Sequence, residues 1–207
     1  MGFYIKKGVF PFFYVIMMSL IAMGILVISG LEWLKVILAI LNVGLYVLVI
    51  GMASFKDGED ALKTQTANDM ERREIIRTGE DRPLKLHEEY KPWKGFMFGF
   101  VSCVPLIILL IIHTIVYLAT GSAVGVGAVA GIMYLMVYVF FLIGTPVSGG
   151  DVATSAALSW YSFYGALAVI PVIMFTTGIG YILGARKIRR QQEMIKEKKR
   201  QIYGEDS

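Results

Sequence analysis

The chain has 207 residues, of which 56% are hydrophobic and 17% charged, against roughly 45–50% and 25% in an ordinary soluble domain. That balance excludes a disordered chain and weighs heavily against a soluble domain, and a single cysteine excludes a disulfide framework or a multi-cysteine zinc site. The formal charge of +4 raises the question of a nucleic-acid or anionic-surface partner.

The charges are unevenly placed. Five stretches, 8–30, 36–55, 95–119, 122–147 and 157–184, carry no Asp, Glu, Lys or Arg, so all 36 charged side chains lie in the other 85 residues. About 20 apolar helical residues cross a hydrocarbon core of about 30 Å. Each stretch is long enough for one crossing and none for two. The run 106–112, LIILLII, is apolar on every face, whereas a soluble core helix keeps a polar face. Inside lipid the backbone must bond to itself, so these stretches are read as helices. The fold class expected is an all-α polytopic integral membrane protein. It has five hydrophobic membrane-embedded helices, making four or five full crossings, and one helical cytoplasmic loop.

Residues 1–55 read as an N-terminal helical hairpin with membrane helices over 8–30 and 33–55. Lys6 and Lys7 precede a run too long for a cleaved signal peptide, so the first helix is retained. Asn42 lies within the second helix. Trp33, Trp93, Trp160, Tyr90 and Tyr161 fall at segment ends, where an amphipathic ring suits the membrane interface.

Residues 56–94 form the only long polar stretch, nearly neutral, with nine basic and ten acidic side chains. A helix is expected over 60–78. Asp57 or Gly58 caps its start, Gly79 ends it, and Leu62, Met70 and Ile76 give a thin apolar stripe. Beyond it, Pro83 and Pro92 point to extended or turned backbone. Arg72, Arg73, Arg77 and Arg82 are the candidate contacts to a cytoplasmic partner or a phosphate, against the plainer reading of a solvated charge run.

Residues 95–184 hold three membrane-embedded segments, 95–119, 122–147 and 157–184. The first carries Pro105, and the second opens with Gly121, Gly125, Gly127 and Gly131, so either is a candidate broken or re-entrant element. His113 is the one ionisable side chain at membrane depth, and Asp151 is the single charge of the Gly-rich connector 145–156. With Asn42 they are the candidate binding residues of a polar path. Gly180 and Gly184, four apart, mark a face where two helices approach closely.

The tail 185–207 is basic and reads as a helix continuing the last segment, its bases toward anionic lipid. Ile188, Ile195 and Ile202 recur every seven residues, half of a coiled-coil seam. The tail lacks interleaved aromatics and adjoins a membrane exit, so nucleic acid is excluded as a partner. Basic residues near span ends prefer the cytoplasm, which puts the N-terminus, the loop and the tail inside a plasma or inner membrane. Four crossings leave only Lys35 of the 20 basic residues outside, whereas five split them almost evenly.

No nucleophile–base pair or metal-ligand spacing stands out, so no catalytic residue, metal or cofactor is assigned. The expected role is a non-enzymatic membrane subunit or scaffold that contacts a cytoplasmic or membrane protein, with homo-oligomers compatible. The alternative is a small transporter or channel for an uncharged or weakly polar solute.

Overall fold

The computed structural model describes residues 2–26, 32–80, 83–120 and 156–203. Among them are four α-helices and no strand: α1 Gly2–Leu26, α2 Glu32–Thr78, α3 Trp93–Thr120 and α4 Ala156–Tyr203. A single 3-10 turn, Leu86–Glu88, sits between α2 and α3. Five embedded helices are therefore not seen. Two helices, over Ile40–Thr78 and Val169–Ile202, are long and apolar enough to cross a membrane. Segment 122–147 lies outside the described residues.

Two sequence expectations change. The helix expected to start near residue 60 is the second half of α2, which runs unbroken from Glu32. Asp57 and Gly58 are therefore helix interior and cap nothing. α3 is likewise continuous through Pro105. A proline inside a helix removes one backbone bond without ending the helix where packing against neighbouring helices offsets the loss. The C-terminal end of α2 follows expectation. Gly79 takes φ +74°, which a side chain disfavours, and its N–H bonds the Ile75 carbonyl at 2.8 Å. α4 likewise carries the last apolar segment into the tail as one helix.

The helices form a ring in the order α1, α2, α4, α3. Their directions follow from paired residues. Lys7 meets Asp57 while Asn42 reaches Met18, so α1 and α2 are antiparallel. Gly180 lies against Gly51 and Gln192 against Thr66, so α2 and α4 are parallel. Gly95 faces Tyr181 and Cys103 faces Ile170, so α3 and α4 are antiparallel. The start of α1, the polar half of α2, the start of α3 and the tail of α4 thus share one end, the polar end of the bundle.

Two core layers follow. The deep one takes Val15 and Met18, Tyr46 and Ile50, Cys103 and Leu106, Val169 and Ile173, two residues from each helix. The other lies at the polar end and joins Ala61, Leu62, Tyr90, Phe98, Tyr181 and Ile188. Polar groups inside the bundle bond backbone carbonyls. Asn42 Nδ2 donates to Met18 O at 3.1 Å, and Ser102 Oγ lies 2.7 Å from Gly8 O and 2.9 Å from Phe98 O. Thr177 Oγ1 donates to Ile173 O at 2.9 Å.

Glycines set the helix spacing. A Cβ at Gly184 would stand 1.9 Å from the Phe55 carbonyl oxygen, and one at Gly58 would stand 2.0 Å from that of Tyr181. At Gly99 it would stand 2.3 Å from Thr177 Oγ1. The Gly180/Gly184 pair is the face singled out from sequence. Its partners Gly51 and Gly58, and the second pair Gly95/Gly99, are not.

Candidate functional site

The polar end is where side chains of different elements converge. The chain leaves α2 at Gly79 and returns across that helix before entering α3. Asn68, buried in α2, holds this return at two points. Its Nδ2 donates to Glu89 Oε1 at 2.9 Å, and its Oδ1 accepts the Lys85 N–H at 3.4 Å. Arg72 Nη2 donates to the same Glu89 oxygen at 2.6 Å, and its Nη1 pairs with Asp69 at 3.2 Å.

Lys94 closes the other side of the return. It lies outside the charge-free segment that begins at residue 95. Its ammonium donates to the His87 carbonyl at 2.8 Å and the Glu89 carbonyl at 2.6 Å. Burial lowers its pKa from 10.5, and the nearby Lys91 charge adds to that, while Glu89 and Glu88 oppose it. Tyr90 stacks on Tyr181 at 5.3 Å, and the Arg189 guanidinium sits 5.2 Å from the Tyr90 centroid. Tyr90 is therefore a buried link between loop and α4. Trp33 and Trp93 are exposed.

Two ion pairs tie the helices at this level. Lys7 of α1 pairs with Asp57 of α2, and Lys187 of α4 pairs with Glu59 of α2 at 2.7 Å. Further out along both helices, Gln192 Nε2 donates to Thr66 Oγ1 at 3.1 Å. Beside the Lys7–Asp57 pair lie two cavities of about 350 and 440 Å³ that share Lys6, Lys7, Asp57, Asp60 and Phe98. On the opposite side of α2, an apolar groove of about 640 Å³ runs between α2 and α4. Its polar end meets a basic pocket of about 430 Å³ containing Arg186, Lys187 and Arg190.

The residues singled out from sequence do not form one site. Asn42 is buried against α1 as an interhelical bond and lines none of these cavities. His113 belongs to α3, but its side chain lies outside what the structure describes, as do Asp151 and Arg82 entirely. Arg72 is spent on Glu89 and Asp69, whereas Arg73 and Arg77 are exposed. Asn68, Glu89 and Lys94 were not foreseen, because within a mixed-sign run nothing marks which polar groups turn inward. Among the described residues no group of three or more His, Cys, Asp or Glu is placed to hold a metal. The Cys103 thiol is buried, its Sγ directed at Ile170 O at 4.0 Å. The arrangement holds helices and a loop in fixed register and presents charged surface. No family model, no curated protein and no solved structure matches the chain.

Proposed function

We propose that the chain is a multi-pass integral membrane protein that acts as a non-enzymatic subunit or scaffold, offering a rigid helical platform to a cytoplasmic protein partner. The observation that carries this is the paired extension of α2 and α4. At 47 and 48 residues each helix is about 70 Å long, more than twice a hydrocarbon core. Beyond their apolar stretches the two stay side by side, joined by Lys187–Glu59 and Gln192–Thr66. Ile76 is 85% and Ile202 72% exposed on this extension, apolar surface that a partner can cover.

Membrane embedding is supported by the outer face of the bundle. Phe10, Phe13, Met17, Leu41, Leu48 and Ile115 are exposed along its helices, where a soluble protein rarely shows a continuous apolar face. The four helices alternate in direction along the chain, an even number by themselves, and the basic N-terminus, loop and tail share one end. The preference of Lys and Arg for the cytoplasm puts that end inside. A reporter inserted at Gly79 and another fused after Tyr203 should therefore report the same side of the membrane. Opposite-side signals overturn the even count.

The scaffold is placed before a transporter because Asn42, Ser102 and Thr177, buried between the helices, all bond backbone carbonyls, which supports a packed bundle over an open polar path. A photo-crosslinking side chain at Ile76 or Ile202 should capture one protein, stoichiometric with the chain in purified membranes. A probe at lipid-facing Phe13 should not. Ile76→Glu with Ile202→Glu should release that protein. Equal capture at Phe13, or none at the extension, removes the partner reading.

A further inference from the structure

We infer that the chain carries a specific site for one anionic phospholipid, with an acyl chain in the α2–α4 groove and the phosphate between Arg186 and Arg190. The groove and the basic pocket are one continuous surface, because Phe55 and Leu183 line both. The groove has no charged lining residue, and its walls are open to the outside: Leu48 is 53% exposed, Met52 59% and Phe175 58%. It exists because Gly51, Gly180 and Gly184 bring the two helix backbones together and leave a furrow beside the seam. Its volume of about 640 Å³ is in the range of ligand pockets.

The headgroup end is built differently. Arg186 and Arg190 are one turn apart on α4, both exposed, and neither pairs with an acid among the described residues. Lys187 beside them is held by Glu59 and by the Phe55 ring, 5.3 Å from its centroid, so it is fixed in place at the mouth of the groove. Two guanidinium forks with open donors match phosphate oxygens in a way that a single ammonium does not. An amphiphile with an anionic phosphate and an apolar chain satisfies both halves at once. A zwitterionic lipid fills the groove but sets a choline cation beside Arg186, Lys187 and Arg190, which offsets its phosphate, and a free phosphate meets the pocket alone. This site requires membrane embedding but no protein partner, so failure of the crosslinking test leaves it standing.

The test is lipid retention and thermal protection of the full chain purified in neutral detergent. The probes are dioleoyl-phosphatidylglycerol, dioleoyl-phosphatidylcholine and inorganic phosphate. Phosphatidylglycerol should stay bound and raise the melting temperature, the other two should not. Arg186→Gln with Arg190→Gln should weaken phosphatidylglycerol binding at least tenfold, as should the groove-filling Ile179→Trp. Lys198→Gln with Lys199→Gln, the same charge change further along the tail, should leave it unchanged. Equal loss in both double variants, equal protection by phosphatidylcholine, or protection by phosphate alone overturns the site.

Discussion

Replacing Gly184 by valine should unfold the α2–α4 seam, lowering stability by about 3 kcal/mol or more. The added Cβ would stand 1.9 Å from the Phe55 carbonyl oxygen and 2.8 Å from its carbon, and these are backbone atoms that no rotamer change can move. Gly58→Val should act alike from the other helix, since its Cβ would meet the Tyr181 carbonyl. Because both clashes push the same pair of helices apart, the double variant should cost less than the sum. Gly44→Ala is the contrast. Nothing lies within 4 Å of its Cβ position, so only backbone entropy changes and a gain of about 0.5–1 kcal/mol is expected. Thermal melts in detergent decide it. A Gly184→Val chain that melts with the wild type would mean the helices do not meet at this seam.

The second large effect is expected at Glu89. Its Oε1 accepts from both Asn68 and Arg72. Glu89→Ala leaves the Asn68 amide, only 3% exposed, without this acceptor, at a cost of about 1–3 kcal/mol. The Arg72 side chain is 40% exposed, so water takes over its charge and Arg72→Ala should cost less than about 1 kcal/mol. Glu89→Gln keeps an acceptor oxygen for Asn68 and should fall between. The measurable consequence is local opening of the return between α2 and α3. Trypsin should cut after Lys85 about tenfold faster in Glu89→Ala than in the wild type. Unchanged cutting would show that the Tyr90–Tyr181 stack and Lys94 hold the loop alone.

What the sequence made legible is what local chemistry alone decides. Gly79 could be placed at the end of α2 because a positive φ favours glycine whatever surrounds it. The continuation of the last apolar segment into a basic helix was readable from the absence of any breaker. Gly58 shows the limit. Beside Asp57 it looks like a helix start, yet it serves close approach to Tyr181, a role defined by a residue 123 positions away. Of the heptad isoleucines only Ile188 is buried, while Ile195 and Ile202 are exposed although α2 continues to Thr78 beside them. At the polar end Arg72 was picked out by charge. The residues that give it a fixed place, Asn68 and Glu89, look in sequence like any members of a solvated run.

The ring order α1, α2, α4, α3 also sets the sequence of assembly. α4 is the last of these four helices to be made, and it fills the space against both α2 and α3. Thr66 waits for Gln192 across 126 residues, which at about 5–20 residues per second takes roughly 6–25 s of synthesis. During that interval the glycine notches of α2 and α3 have no helix to receive. α1 supplies their early neighbour, antiparallel to one and parallel to the other, so a hairpin and a third helix stand first and α4 completes them. A nascent chain stalled before Gly180 would leave both notches without the helix that fills them.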